Sequence, residues 1–289
     1  MHEMTQPLIL DFDGSVQGLP GARAIGLGQH QETIRFGCRQ SQLRQLGAVL
    51  APVLDDRPPV VFLGSGDYHH VSLLLIERLR AMGTPIQVVV FDNHPDNMRY
   101  PFGIHCGSWV WHVSRLPFVA RVHVVGITST DVELGRLWEN HLGPLYSGKV
   151  VYYALQRNLR PMQRLGIRHS RSFESMRELL EALLASLALT SDPIYLSIDK
   201  DVLSRDVVQT NWDQGVMRLD ELFNTIQAFL PRVVASDIVG EVSCYRYLSL
   251  FKRLLSGLDG QPEIPPQTLT QWQTQQQQVN YQLLSLLHP

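Results

Sequence analysis

Residues 86–96 read Ile86-Gln87-Val88-Val89-Val90-Phe91-Asp92-Asn93-His94-Pro95-Asp96. A short, largely apolar run of this kind is a strand buried on both faces, and it ends abruptly in charge. The same pattern recurs at residues 194–201, where Ile194-Tyr195-Leu196-Ser197-Ile198 leads into Asp199-Lys200-Asp201. A hydrophobic strand has no structural use for carboxylates at its end. Positions 92, 94 and 96, and likewise 199 and 201, alternate and so point the same way if the backbone stays extended. Turn formation accounts for one or two such residues. It does not account for a second acidic pair after another buried strand, because carboxylates held together repel each other and lose hydration. Hard oxygen and imidazole ligands that converge in this way suit divalent metal ions.

The rest of the chain supplies the scaffold for these ends. Strand patterns at residues 7–12, 60–63, 86–91, 119–127, 149–155, 194–198 and 233–239 alternate with helical patterns at 41–54, 71–82, 131–141, 173–189, 219–229 and 245–255. Ser175 and Glu178 have capping-box spacing, which favours a start near Ser175 for the 173–189 helix. Such alternation predicts an α/β fold, a three-layer α/β/α sandwich with a mostly parallel central sheet. One domain is expected over residues 1–289, with a Gln-rich helical extension at 267–289 after the breaker Gln261-Pro262-Glu263-Ile264-Pro265-Pro266. Trp272, Val279, Leu283 and Leu286 can share a stripe there, facing either the chain's own domain or another copy.

Composition narrows the function. Hydrophobic residues make up 44% of the 289 and charged residues 18%, enough for a large core. The formal net charge of −2 gives no basic footprint for nucleic acid. No apolar run reaches the roughly 20 residues of a membrane helix. No basic-then-apolar leader is visible, and Cys38, Cys106 and Cys244 have neither knuckle nor disulfide spacing. A cytoplasmic protein acting on a small molecule, as a homo-oligomer, is the expectation.

In an open parallel sheet, ligands bind at the carboxyl ends of strands. Four such ends carry chemistry here: Gly66-Asp67-Tyr68-His69-His70 after 60–63, the two acidic patches, and Gly240-Glu241 after 233–239. Five carboxylate or imidazole groups, with one more histidine from the 69–70 pair, exceed what one catalytic ion needs. Two ions sharing carboxylates fit better.

Phe91-Asp92-Asn93-His94-Pro95-Asp96, Leu196-Ser197-Ile198-Asp199-Lys200-Asp201 and Gly64-Ser65-Gly66-Asp67-Tyr68-His69 together resemble the ureohydrolase superfamily of arginase, agmatinase and formimidoylglutamase. The order and separation of the motifs agree over about residues 60 to 245. The resemblance implies an arginase-like domain, two manganese ions, and hydrolysis of a C–N bond in a guanidino or amidino compound, with a metal-bridging hydroxide as nucleophile. Position by position, Asp92 and Asp199 match the bridging carboxylates. Asp96 and the first histidine match ligands of one ion, and His94 and Asp201 those of the other. In the family that histidine follows Gly-Asp directly, whereas here Tyr68 intervenes. His69 is the match, with His70 and Asp67 open under a different gap.

Gly103-Ile104-His105-Cys106-Gly107 is similar to the family's His-Gly loop, which makes His105 the proton shuttle. Asp237-Ile238-Val239-Gly240-Glu241 is similar to its Asp-Ile-Val-Glu, in which the glutamate orients substrate. Here Gly240 is inserted, which reverses the side-chain direction unless it forms a bulge. The family's Gly-Thr-Gly-Thr-Pro loop is replaced by Thr210-Asn211-Trp212-Asp213, which is expected to bind substrate through Asn211, Trp212 and Asp213. Trp109 and Trp111 read as aromatic walls or strand packing, and Arg99 as a carboxylate clamp or a surface residue. An amide hydrolase or deacetylase, and a non-catalytic binding protein, are the competing readings.

Overall fold

A computed structural model describes residues 6–54, 60–250, 252–254 and 264–288. Its centre is a nine-stranded sheet in the order β2-β1-β4-β11-β10-β5-β7-β8-β9. The strands are β1 (Leu8–Asp11), β2 (Arg23–Gly26), β4 (Val61–Ser65), β5 (Ile86–Phe91), β7 (Val119–Ile127), β8 (Val150–Leu155), β9 (Arg171–Phe173), β10 (Ile194–Asp199) and β11 (Val233–Glu241). β3 (Gly37–Cys38) and β6 (Ile104–His105) form a separate two-residue antiparallel ladder. Every pairing in the large sheet is parallel.

Two cores lie on opposite faces of the sheet, as strand alternation requires. In β5, Ile86, Val88 and Val90 join one core while Val89 and Phe91 join the other. Helices Gln40–Leu50, Ser72–Arg78 and Trp109–Ser114 cover the first face through Leu43, Ile76 and Val110, among others. Helices Met176–Leu187, Leu219–Phe229 and Pro266–Leu287 cover the second. The C-terminal helix docks on its own domain, burying Val279, Leu283 and Leu284 there.

Several boundaries differ from expectation for identifiable reasons. Helix Met176–Leu187 starts at the Ser175 cap, whose Oγ accepts from Glu178 N at 3.3 Å, and residues 171–173 become the edge strand β9 instead. Ser175→Ala is expected to lower stability by about 1 kcal/mol in thermal melts. Residues 131–141 are not a helix but two 3-10 turns, Thr130–Val132 and Leu137–Glu139. Their backbone groups are engaged elsewhere: Glu139 O accepts from Arg99 N and His141 N donates to Asn97 O. Residues 242–247 are likewise irregular, pinned by Ser243 N to Asn211 Oδ1. Leu248 N and Ser249 N donate to the Glu32 carboxylate, and helical residues begin only at Leu250. Residues 251 and 255 of that expected helix lie outside the described residues. Trp109 and Trp111 sit on a helix rather than a strand.

Candidate metal centre and cleft

The four chemistry-bearing strands are consecutive in the sheet, in the order β4-β11-β10-β5, so their carboxyl ends form one rim. Register does the rest. Ile198 pairs with Phe91, which brings the next residues, Asp199 and Asp92, side by side.

Two ligand groups result: His69 with Asp92 and Asp96, and Asp92 with His94 and Asp201. They share Asp92. His69 Nδ1 lies 3.3 Å from Asp92 Oδ2, 3.1 Å from Asp96 Oδ2 and 3.4 Å from Asp199 Oδ2. His94 Nδ1 lies 2.9 Å from Asp201 Oδ2 and 3.6 Å from Asp92 Oδ1. Of the three open alternatives on the first loop, only His69 reaches this cluster. Asp67 is bonded to Arg35 Nε at 2.7 Å, and buried His70 lies against Cys38.

The donor set fits divalent cations. Four buried carboxylates converge, and among the described residues no lysine or arginine pairs with them. Asp92 Oδ2 is buried without a hydrogen-bond partner. Burial and the charge of Asp92 push Asp96 and Asp201 each up to about 7. Burial, then Asp201 and Asp92, drive Asp199 well above the carboxylate range. Burial alone would raise Asp92 too, but the neighbouring His69 and His94 imidazoles outweigh it and hold it low. Burial alone would depress both histidines. The bonds and charges of Asp92 and Asp96 instead hold His69 well above its usual value, and Asp201 does the same for His94. Carboxylates that must share protons in this way are a site built for positive charge.

A second layer orients these ligands. Ser197 Oγ meets His69 Nε2 at 2.9 Å and donates to Asp237 Oδ1 at 2.8 Å, while Tyr195 donates to Asp237 Oδ2. That turns His69 Nδ1 toward the carboxylates. Trp109 Nε1 donates to Asp96 Oδ2 at 2.7 Å, and Asp96 adopts φ 46°, a strained position for a residue with a side chain. Asp213 Oδ1 accepts from His94 Nε2 at 2.7 Å, and this bond is the main cause that lowers the Asp213 carboxyl. Sequence reasoning gave Ser197, Tyr195 and Trp109 no such role. Ser197 carried one signal: it is polar in a buried strand and shares the alternation of Asp199.

The cluster floors a cleft of about 690 Å³. His105, Trp212, Asp213 and Arg99 line it, together with Phe36, Tyr100, Phe102, Asp131 and Arg136. His105 Nδ1 accepts from Gly107 N at 2.9 Å, which leaves the ring proton on Nε2. Burial, with the nearby Lys252 charge, lowers His105 to about 3, so the ring is neutral at ordinary pH. Trp111 stacks on His141 away from the lining.

Two expected substrate contacts are engaged within the protein. Asn211 is buried and bonded to the backbone of Ser243 through both ends of its amide, so it clamps a loop. Glu241 lies outside the cleft lining, with its carboxylate accepting from Lys200 Nζ and from Asn280 Nδ2. Gly240 does form the bulge, with φ 89° and a shift in register against β4. The restored direction delivers Glu241 to a buried lysine. A Cβ at Gly240 would run into Asp199 Oδ1. Gly240→Ala is therefore expected to cost at least about 1–2 kcal/mol and to weaken metal uptake, as read by melting and metal titration.

Among the described residues, no helix is long and apolar enough to cross a membrane. Comparison with known proteins agrees with the geometry. An uncharacterised protein of Thermotoga maritima is 27% identical over 237 residues, spanning 81% of this chain and 78% of that one. Among solved structures, a putative agmatinase from Clostridium difficile superposes with a TM-score of 0.56 at 15% identity, covering 99% of this chain and 98% of that one. Proclavaminate amidino hydrolase from Streptomyces clavuligerus gives 0.52 at 14%, covering 94% and 92%. Arginase from Bacillus caldovelox gives 0.52 at 15%, covering 90% and 100%. The model of the arginase family matches residues 27–244, the span that carries both acidic patches, the His105 loop and every strand of the large sheet except β1 and β2; the chain belongs to the arginase family.

Proposed function

We propose that this protein is a binuclear-metal hydrolase, with manganese as the metal, that cleaves a C–N bond in a small guanidino or amidino compound. The observation that carries the reading is the pair of ligand groups sharing Asp92 at the floor of an open cleft. Family members are hydrolases of C–N bonds, and the solved relatives named as agmatinase, arginase and amidino hydrolase support that substrate class. His69, Asp92 and Asp96 would hold one ion and Asp92, His94 and Asp201 the other, with Asp199 beside both. Bound there, divalent ions lower the pKa of a water and polarise the carbon it attacks.

The chain's own residues supply the rest. Ser197 and Asp213 fix the histidine rings. His105, neutral and protonated at Nε2, donates a hydrogen bond from that nitrogen toward the leaving nitrogen. Trp212 walls the cleft, and Asp213, its side chain 67% exposed, presents a carboxylate to a cationic nitrogen. His105→Asn is expected to lower kcat about a hundredfold while leaving metal content unchanged; unaltered kinetics would remove its role.

One observation favours a second reading. With Glu241 sequestered, a neutral amide or N-acyl substrate loses nothing. A panel of guanidino, amidino and N-acyl compounds, incubated with manganese-loaded protein, separates the two. Urea or ammonia from an amidine is the expected product, and an amine plus a carboxylic acid would mark the amide hydrolase. No turnover at all by protein carrying two ions would contradict both and favour a binding protein.

A further inference from the structure

Lys200 stands between two ligand candidates, yet its side chain is fully buried and turned away from them. Its ammonium has three donors and finds three acceptors: Glu241 Oε1, Asn280 Oδ1 at 2.9 Å and Gln276 Oε1 at 3.3 Å. Asn280 Nδ2 also donates to Glu241 Oε1 at 2.7 Å. Gln276 extends the network into the backbone, with Nε2 donating to Gly240 O at 2.8 Å and to Gln209 O at 2.6 Å, and Oε1 accepting from Val242 N at 3.1 Å. Gln276 and Asn280 are four residues apart, one helical turn, and so face the sheet together.

This network ends at the metal-ligating turn. Gly240 is the residue against which Asp199 Oδ1 packs, with no room for a Cβ between them. Gln276 holds the carbonyl of that glycine. Asp199 Oδ1 in turn accepts from Asp201 N at 3.0 Å. A chain of contacts therefore runs from the C-terminal helix through Gly240 and Lys200 to both aspartates.

We propose that Lys200, Glu241, Gln276 and Asn280 form a positioning unit that sets the Asp199–Asp201 turn for metal binding. The C-terminal helix is thus part of the metal centre's support, and Glu241 serves that support instead of touching substrate. Buried lysine and carboxylate neutralise one another here, and removing one alone would strand the other's charge in the interior. This inference rests on the metal reading of Asp199 and Asp201.

The test is manganese titration of the full chain, with thermal melting as the check on folding. The double variant Lys200→Met/Glu241→Leu removes both charges at similar volume, an exchange that buried pairs often tolerate. It is expected to melt cooperatively, to bind manganese about tenfold to a hundredfold more weakly, and to keep its KM for whichever panel compound is turned over. Asn280→Ala, which leaves Lys200 two acceptors, is expected to weaken binding about tenfold; should the double variant not fold, this variant decides. Wild-type manganese affinity in the folded variants would overturn the proposal. So would a raised KM at unchanged affinity, since Glu241 would then be a substrate ligand. If the wild-type chain itself binds no manganese, the hydrolase reading fails, and this inference with it.

Discussion

Asp92→Ala should release at least one of two manganese ions and lower turnover about a thousandfold or more. The size follows from geometry. Asp92 alone belongs to both ligand groups, so its loss removes one oxygen from each. Metal stabilisation of developing charge is worth several kcal/mol, and each 1.4 kcal/mol is about tenfold in rate. His69 and His94 each also lose a carboxylate partner, 3.3 and 3.6 Å away respectively. Elemental analysis of dialysed variant and parent, beside a thermal melt, separates metal loss from misfolding. Two ions per folded variant would show that Asp92 is dispensable.

Chelation should lower the melting temperature, and the gap between metal-loaded and metal-free protein should widen as pH rises from about 5 to 7.5. The sign follows from the folded-state shifts. Asp96 and Asp201, raised to about 7 in the metal-free fold, hold protons that the unfolded chain has already lost. The folded state therefore binds more protons between about 4 and 7, and metal-free stability falls as pH climbs through that window. His69 and His94, also raised, act in the same direction: their contribution is full below about 6.5 and is lost at higher pH. Asp92 is shifted the other way, and its contribution is lost only in strong acid. Metal binding needs all these groups deprotonated, so affinity should rise about tenfold per pH unit for each proton displaced. At a hundredfold excess over Kd each ion adds about 2.7 kcal/mol, which is roughly 4–5 °C per ion for a chain of this size. A gap that is constant with pH would mean that these carboxylates are not the ligands.

The buried strands were legible because both of their faces are covered. β5, β7 and β10 read as nearly unbroken apolar runs, and helix Leu219–Phe229 showed its period in full. The edge strands were not. β2 is Arg-Ala-Ile-Gly and mostly exposed, and β9 has three residues, so neither carries a run that could be told from a loop. Five of the six ligand candidates followed from strand ends and alternation. The sixth needed three dimensions, since two adjacent histidines and an aspartate compete in sequence and only the 3-10 turn Gly66–Val71 decides which one faces Asp92. The surroundings of Glu241 were hidden for a related reason. Its meaning depends on Lys200, and a lysine between two aspartates looks solvent-exposed until Gln276 and Asn280 are seen above it. The one available clue was the helical spacing of those two amides in a Gln-rich tail.

The most direct test of the whole account is anomalous scattering at the manganese edge from crystals grown with the metal. The account predicts two peaks on the rim of β4, β11, β10 and β5, one beside His69 and Asp96 and one beside His94 and Asp201, with Asp92 reaching both. A single peak, or none, from folded protein in excess manganese would contradict it.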